Sequence, residues 1–541
     1  MFNGILHIPQ PTNEPARMYR PGSSERESLQ QELQRQLSNP VEIPMIIGGK
    51  EVRSGDLEEI RCPHDRSRLL GRYHRATTEH AEMAVQAANA ARAEWANMPW
   101  SARTAILLRA AELLTGPCRD QINAATMLGQ SKTCYQAEIE AACELADFWR
   151  FNPYFVYRVY EDQPISVPGI LNFMEHRPLE SFVFAISPFN FTAIAGNLPT
   201  APALMGNTVV WKPASSSVLS NYYVMQILQR AGFPDGVINM IPGPGSRLGP
   251  PILDHIDLGG VHFTGSTAVF SSIYRAIGSD IRKYRVYPRI VGETGGKDFI
   301  FAHASANLEA LVANTIRGAF EYQGQKCSAA SRLYVPESLW PQFRKRLVEE
   351  VAEVKMGDVC DFSNFMNAVI DANAFQTISA YIEEAKNDST YEILIGGKCD
   401  DSKGYFVEPT VVVSSDPKSK LMQEEIFGPV ITIYVYPDNE YEETLRLCDQ
   451  TSVYALTGAI FGRDRKAVVT AMNILRQAAG NFYVNDKPTG AIVGQQPFGG
   501  SRASGTNDKA GSVVNLLRWV SPRAIKEALL PVENWRYPFL G

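Results

Sequence analysis

The chain lacks several patterns that would assign it to a function class at once. No stretch approaches the roughly 18 apolar residues that a membrane helix needs, and residues 1–26 contain no basic patch followed by an apolar core. Neither a spanning segment nor a secretory signal is therefore predicted. None of its 8 cysteines forms a C-x-x-C pair, so no metal site is predicted and the cysteines are expected to be reduced thiols.

An excess of positive charge is also missing. The 541 residues carry 52 Lys+Arg against 58 Asp+Glu, a formal net charge of -6. Because nucleic-acid-binding proteins usually present a basic face, no nucleic-acid partner is predicted. The composition is that of a globular protein with two or three domains. The predicted compartment is the cytoplasm, or the mitochondrial matrix if the source is eukaryotic.

Histidine is scarce where a cysteine hydrolase would need it. None of the 8 histidines follows Cys327, which excludes the papain order. A G-x-S-x-G elbow and an H-E-x-x-H helix are absent too. If Cys327 is a nucleophile, its base must therefore be a carboxylate, and Glu293 is the best placed.

The first part of the chain shows mainly helical patterns. Residues 1–45 are polar and proline-rich, which predicts an extended arm. Apolar residues recur at helical spacing over 78–96, where Thr77 or Thr78 can cap the helix, and again over 102–116 and 134–150.

From residue 181 short apolar runs alternate with helix-length segments. The runs are 181–187, 208–211, 237–241, 261–264 and 289–291. This alternation predicts a parallel sheet, and ligands of such sheets bind at the carboxyl ends of the strands. A second alternating region spans about 294–500, so a cleft between two α/β units is expected.

Polar loops follow these strands at the expected ligand edge. The loop 243–249 reads G-x-G-x-x-x-G, which departs from the dinucleotide fingerprint and is equally compatible with a plain turn. A helix start after 264–266 is a better phosphate site, because free N–H groups and the helix dipole favour an anion there. Lys212 is either a cofactor contact or a solvated surface charge.

Three residues could together oxidise or hydrolyse a carbonyl group. Cys327 can supply a thiol, Glu293 in a glycine-rich run a base, and Asn190 an amide that donates to an oxyanion. Each also has a simpler interpretation, as a structural cysteine, a turn glutamate and a loop asparagine. Glu425 could bind ribose hydroxyls or face solvent, and the glycine-rich loop 489–505 could hold a carboxylate in a nest of N–H groups.

Taken together, these segments resemble the aldehyde dehydrogenase superfamily. The resemblance covers residue 45 to the end and rests on Ser-Pro-Phe-Asn, Trp-Lys-Pro, Phe-Thr-Gly-Ser, Gly-Glu-Thr-Gly-Gly-Lys, Gly-Gln-Lys-Cys-Ser, Glu-Glu-Ile-Phe-Gly-Pro and Pro-Phe-Gly-Gly, in that order. It implies an α/β fold with a Rossmann-type NAD-binding domain (1–159, including an N-terminal helical arm, and 181–293). A catalytic domain (294–510) and a small oligomerisation flap (160–180 and 511–541) complete it.

Within the superfamily, residues 324–332, 480–487 and 490–505 resemble the branch that oxidises L-glutamate gamma-semialdehyde, the open form of delta-1-pyrroline-5-carboxylate, in the second step of proline breakdown. The resemblance implies that Cys327 forms a hemithioacetal, that Asn190 and the Cys327 N–H hold its oxygen, and that NAD takes a hydride. Glu293 then activates the water that releases the acid.

The resemblance also implies binding roles. The positions matching cofactor contacts are Ser187, Pro188, Lys212, Ser215, Gly245, Gly265, Ser266, Glu425 and Phe427. Those matching substrate contacts are Ser328, Gly490 and Ala491 for the carboxylate, Phe191 and Phe498 for the aliphatic chain, Glu138 for the ammonium group, and Lys326. A homodimer or higher homo-oligomer, with a possible proline dehydrogenase partner, is implied as well.

Two departures and three rival functions accompany this interpretation. Ser215 stands where many superfamily members have a glutamate that excludes NADP; NAD is nevertheless predicted. Ala491 stands where close relatives often have serine. The rivals are another semialdehyde dehydrogenase, for example for succinate semialdehyde, a cofactor-independent thioesterase or esterase using Cys327 and Glu293, and a non-catalytic protein of the same fold.

The substitution Ala491→Ser tests the predicted carboxylate contact. A restored hydroxyl adds one donor, worth on the order of 1 kcal/mol, so KM for the semialdehyde should change more than kcat. Steady-state kinetics of both proteins measure this. An unchanged KM would mean that residue 491 does not touch the substrate.

Overall fold

The computed structural model describes residues 6–541, so residues 1–5 of the predicted arm lie outside the described residues. In chain order the helices are α1 Ser24–Ser38, α2 Thr78–Asn97, α3 Trp100–Thr115, α4 Arg119–Gln130, α5 Cys134–Ala137, α6 Leu145–Glu161, α7 Thr192–Leu204, α8 Val218–Ala231, α9 Gly245–Leu253, α10 Thr267–Gly278, α11 Leu308–Phe320, α12 Trp340–Ala352, α13 Ala372–Asn387, α14 Lys420–Gln423, α15 Tyr441–Thr451, α16 Arg465–Ile474 and α17 Val513–Leu517.

The strands follow the same chain order. They are β1 Val41–Ile43, β2 Met45–Ile47, β3 Lys50–Val52, β4 Leu57–Cys62, β5 Asp65–His74, β6 Ile170–Pro178, β7 Phe182–Ile186, β8 Val209–Lys212, β9 Ile238–Met240, β10 Leu258–Thr264, β11 Arg289–Glu293, β12 Asp298–Ala302, β13 Ala330–Pro336, β14 Tyr391–Ile395, β15 Cys399–Asp400, β16 Phe406–Val407, β17 Thr410–Ser414, β18 Val430–Tyr436, β19 Tyr454–Ala455, β20 Thr457–Phe461, β21 Asn481–Val484, β22 Ser501–Arg502 and β23 Val520–Ala528.

The first large sheet contains the predicted apolar runs as buried strands. Its order is β11-β10-β7-β8-β9-β2-β3, and the first five strands are mutually parallel. From β7 the chain builds the sheet outward through β8 and β9, then returns to place β10 on the other side of β7. The strand order therefore reverses between β7 and β10, which is where open α/β sheets bind ligands.

The second large sheet is built from strands that lie between residues 298 and 484. Its order is β14-β17-β18-β13-β12-β20-β21, parallel except for the edge strand β14. Cys327 precedes β13, and Glu293 ends β11 of the first sheet. The expected cleft thus has one reactive residue on each side, while the domain boundary at residue 294 stays a prediction.

The predicted helices of the first part are confirmed, and the structure adds three features: α1, α4 and a π-helical segment. The Thr77 N–H donates to His80 Nδ1 at 3.1 Å where α2 begins. The predicted helix 134–150 contains a seven-residue π-helical segment, Glu138–Glu144, between α5 and α6. Residues 1–45 are not wholly extended, because α1 forms over 24–38 and only residues 6–23 run without regular structure.

The segments predicted to form the flap pair with each other. Strands β6 and β23 form an antiparallel two-stranded ribbon in which Ile170 faces Ala528 and Pro178 faces Val520. Beyond β23 the chain exposes several large apolar side chains: Leu530, Val532, Trp535, Tyr537 and Phe539. Among residues 6–541, no helix is long and apolar enough to cross a membrane.

Packing inside the second sheet depends on one glycine opposite an aromatic ring. Gly458 of β20 lies directly beside Phe299 of β12, and a Cβ atom at Gly458 would come within 2.2 Å of Phe299 Cζ. The ring thus fills the space that a side chain on β20 would need.

Gly458→Ala should therefore destabilise the fold, since overpacking a filled core costs about 1–3 kcal/mol. The midpoint of urea unfolding should move to lower urea. Gly278→Ala is the matched control, because a Cβ atom there meets open space at the end of α10. Equal midpoints for the two variants would contradict the packing argument.

Candidate functional site

The predicted cofactor positions lie along the carboxyl edge of the first sheet. Lys212 ends β8 and is buried, yet its Nζ donates only to the Pro213 carbonyl, at 3.1 Å, among the described residues. Burial lowers the pKa of Lys212 to about 8. Two of its donor N–H groups are thus left for a ligand, and a Cβ atom on Gly245 would lie 3.5 Å from its Cε.

The predicted phosphate site is the start of α10. Ser266 caps this helix, and its Oγ accepts from the Val269 N–H at 3.4 Å. The Gly265 N–H donates to the Glu293 carbonyl at 3.2 Å. This bond fixes the start of α10 to the end of β11. Thr264 Oγ1 is buried and has no hydrogen-bond partner in the described part of the chain. An unpaired hydroxyl beside a helix N-terminus fits an anionic ligand.

The remaining cofactor positions are placed as follows. Ser187 and Pro188 follow β7, and Ser187 Oγ accepts from Trp211 Nε1 at 3.0 Å. Ser215 opens a short 3-10 turn after Lys212. Phe427 adopts a left-handed φ of 55° and packs edge-on against Phe189. The Ser187 hydroxyl is thus already used within the protein.

Glu425 reaches the glycine-rich run that follows β11. Its Oε1 accepts from the Gly296 N–H at 2.9 Å, and burial raises the pKa of Glu425 to about 7. The carboxyl group therefore lies between the two sheets rather than on the surface.

Next to this edge, a cavity of about 430 Å³ contains most of the predicted substrate positions. Its volume falls within the range of small-molecule sites. Of the predicted residues, those that line it are Cys327, Glu293, Phe191, Lys326, Ser328, Gly490, Ala491 and Phe498.

A left-handed turn brings Cys327 to this cavity. Tyr322 and Gln323 have φ values of 53° and 55°, a conformation that costs about 1–3 kcal/mol per residue and persists where surrounding contacts fix it. The Gln323 amide supplies such contacts: Nε2 donates to the carbonyls of Ser131 at 3.0 Å and Ala368 at 2.7 Å.

The Cys327 thiol is protonated at rest. Burial, together with the negative charge of Glu293, raises the pKa of Cys327 well above its ordinary value. Lys326 does not offset this, because its Nζ is paired with Glu321 at 3.1 Å. The nucleophile must therefore pass its proton to a base as it reacts.

Glu293 is that base by position. Gly505 bonds against the end of β11 with a φ of 132°, and a Cβ atom there would lie 2.2 Å from the Gly292 carbonyl oxygen, so glycine is required. The Glu293 carboxyl group accepts no hydrogen bond from residues 6–541, and burial raises its pKa to about 8. A carboxylate with such a pKa can take a proton near neutral pH.

Asn190 is held beside the nucleophile loop. Its Nδ2 donates to the Gln325 carbonyl at 3.1 Å, which leaves the second amide hydrogen for an oxyanion. The loop that carries Asn190 is held by Gln130, whose Nε2 donates to the Phe189 carbonyl at 2.5 Å.

The expectation for Glu138 is wrong. Its side chain does not line the cavity; it is fully buried in an ion pair with Arg119 and accepts from Tyr19 Oη and Asn123 Nδ2, both at 2.7 Å. A carboxylate satisfied in this way has no acceptor left to face a substrate ammonium. The π-helical segment turns Glu138 away and places other acidic residues on the cavity wall.

Glu144 is the acidic residue that sequence reasoning missed. It lines the cavity and makes no hydrogen bond to any described residue, and burial together with Glu140 raises its pKa well above the ordinary value. Glu140 is instead paired with Lys132 at 2.8 Å. The Lys132 Nζ lies over the rings of both Phe191 and Tyr322. Glu144 is thus free to pair with a cation.

The part of the cavity where the substrate carboxylate is predicted to bind has further residues that were not predicted. Thr489 Oγ1 lies 2.7 Å from Ser328 Oγ, and Lys487 lines the cavity beside Gly490, where a Cβ atom would lie 3.4 Å from its Nζ. The cavity wall thus has cations and hydroxyl groups near the 489–491 loop, and carboxyl groups on the π-helical segment.

Known proteins are similar to this chain over most or nearly all of its length. A model of the aldehyde dehydrogenase family matches residues 52–523. The chain is 52% identical over 537 residues to the delta-1-pyrroline-5-carboxylate dehydrogenase, mitochondrial, of Dictyostelium discoideum, which covers 99% of this chain and 96% of the relative. The chain therefore belongs to the aldehyde dehydrogenase family.

Two solved structures add to this. The delta-pyrroline-5-carboxylate dehydrogenase of Mycobacterium tuberculosis bound with NAD superimposes with a TM-score of 0.97 at 51% identity, over 100% of both chains. The proline utilization A protein of Bdellovibrio bacteriovorus superimposes with a TM-score of 0.91 at 32% identity, over 96% of this chain and 53% of that one.

The raised pKa of Glu293 predicts the pH dependence of catalysis. The active base is the carboxylate, which prevails only above its pKa of about 8, so kcat at saturating substrate should rise with pH and level off above that value. Glu293→Gln should lower kcat by on the order of 10²–10⁴-fold and abolish the inflection. The same inflection in the variant would assign the titration to another group, such as Lys212 or Glu425.

Proposed function

We propose that this protein oxidises L-glutamate gamma-semialdehyde to L-glutamate with NAD. The observation that carries the proposal is one cavity that combines a thiol, an unpaired carboxyl base and binding groups of both charges. An amino-acid aldehyde carries a carboxylate and an ammonium group, so Ser328, Gly490 and Lys487 would hold the first and Glu144 the second.

The reaction begins at Cys327. Glu293 accepts the thiol proton as the sulfur bonds to the aldehyde carbon, and the resulting oxyanion accepts from the free Asn190 amide hydrogen and the Cys327 N–H. NAD, when bound, accepts the hydride that leaves this carbon. The residues that would hold NAD are Lys212, Gly245, Gly265, Ser266, Glu425 and Phe427.

Release of the product uses the same base. Glu293 first passes the thiol proton to solvent; as a carboxylate it then takes a proton from water while the water oxygen bonds to the thioester carbon, and the carbon–sulfur bond breaks. The leaving sulfur regains a proton from Glu293, so that each aldehyde oxidised consumes one water and releases one proton. The Phe191 and Phe498 rings line the cavity and exclude further water from the acyl chain.

Assembly and localisation belong to the same proposal. The β6–β23 ribbon and the apolar side chains beyond it support a homo-oligomer, since exposed apolar patches commonly mark interfaces. The proline utilization A chain extends well beyond its match with this one, which supports a proline dehydrogenase partner. The Dictyostelium discoideum relative is named mitochondrial; cytoplasm or matrix stays a prediction here.

A substrate panel tests the proposed function. NADH formation should be fastest with delta-1-pyrroline-5-carboxylate, slower with succinate semialdehyde, which lacks the ammonium group, and slowest with propanal. Cys327→Ser should abolish all three. Ester hydrolysis without NADH from any aldehyde would instead favour the thioesterase, and a preference for succinate semialdehyde would discard the role of Glu144.

A further inference from the structure

The N-terminal segment, residues 6–23, forms part of the substrate cavity. Asn13, Glu14 and Ala16 line the same cavity as Cys327. The family model begins only at residue 52, whereas the match to the Dictyostelium discoideum relative covers 99% of this chain. The segment lies before the part of the chain that the family model matches, and the match to that relative extends over it.

Asn13 joins two walls of the cavity. Its Nδ2 donates to Asp147 Oδ2 at 2.8 Å and to the Val493 carbonyl at 2.8 Å, and its Oδ1 accepts from Gln495 Nε2 at 2.9 Å. Asp147 lies on α6, directly after the π-helical segment with Glu144. Val493 and Gln495 belong to the carboxylate-binding loop (489–498), which also contains Gly490 and Ala491.

The neighbours of Asn13 hold the segment against the helical wall. The Glu14 N–H donates to Asp147 Oδ1 at 2.7 Å, and the Glu14 carboxylate is paired with Arg119 and Arg150. Further along, the Arg17 N–H donates to Glu138 Oε1 at 2.7 Å. The buried Glu138 thus anchors the segment instead of meeting substrate.

By contrast, the middle of the loop, around Val493 and Gln495, has few hydrogen bonds to other parts of the protein. The described hydrogen bonds of Val493 and Gln495 to residues outside the loop are those with Asn13. Besides the close packing of Gly494 on Phe151 of α6, the hydrogen bonds that link the middle of this loop to the acidic wall therefore pass through one asparagine side chain.

We propose that Asn13 is a positioning residue which sets the separation of the carboxylate-binding loop (489–498) and the acidic wall with Glu144, and so makes the cavity selective for an aldehyde bearing both a carboxylate and an ammonium group. The inference rests on the proposed function. An aldehyde without these groups does not span the two walls and gains nothing from their spacing.

Asn13→Ala tests this by a split between substrates. KM for delta-1-pyrroline-5-carboxylate should rise on the order of tenfold, because hydrogen bonds worth about 1 kcal/mol each are lost, while its kcat stays within about twofold. Inhibition by L-glutamate should weaken by the same factor. KM and kcat for propanal should not change.

Two further variants keep the test decisive. Gln495→Ala removes one of the same bonds from the loop side, should raise KM less, and should be non-additive with Asn13→Ala in a double-mutant cycle. Thr12→Ala is the matched control, since Thr12 is exposed and makes no side-chain hydrogen bond within residues 6–541. If Asn13→Ala lowers the unfolding temperature too far for assay, Gln495→Ala carries the test alone.

The outcomes separate the inference from the function. Unchanged KM for the pyrroline carboxylate in both Asn13→Ala and Gln495→Ala, or an equal rise in KM for propanal, would overturn the positioning role. A wild-type protein that does not oxidise the pyrroline carboxylate at all would count against the proposed function instead.

Discussion

Everything in this site depends on burying two ionisable groups, Cys327 and Glu293, in one cavity. Burial raises the pKa of both, which disfavours the charged form of each group. The thiol becomes a nucleophile only when Glu293 can take its proton. The chemistry is thereby tied to a bound substrate and to pH near the pKa of Glu293.

The two sheets bring Glu293 and Cys327 together from different parts of the chain. Glu293 is fixed by the end of β11 and by Gly505, and Cys327 by the strained turn that the Gln323 amide stabilises. Lys132, Glu140 and the Phe191 ring form a second framework beside the cavity. Breaking one partner of such a buried pair is strongly destabilising, by about 3–5 kcal/mol, so this framework is rigid.

Sequence patterns predicted the parts of the structure that depend on local chemistry. The strands of the first sheet are continuous apolar runs such as Phe182–Ile186, and α8 ends at Gly232, which has a left-handed φ of 99°. Cys327, Glu293 and Asn190 were found because their motifs are contiguous. Helix α1 was missed because only Leu29, Leu33 and Gln36 are buried on an otherwise polar helix.

The residues that the sequence could not place depend on tertiary geometry. Glu138 and Glu144 are six residues apart in a helical pattern, and only the π-helical segment decides which one enters the cavity. Asn13 contacts residues more than 130 positions away along the chain, and no local periodicity marks such a contact.

The central claim is a covalent thioester on Cys327 that Glu293 resolves. The most direct measurement is intact-protein and peptide mass spectrometry of the wild-type protein, quenched with acid during a single turnover with NAD and delta-1-pyrroline-5-carboxylate. The account predicts a gain of one glutamyl acyl group, located on the peptide that contains Cys327 and removed by hydroxylamine. NADH formed in a single turnover without any adduct on Cys327 would contradict it.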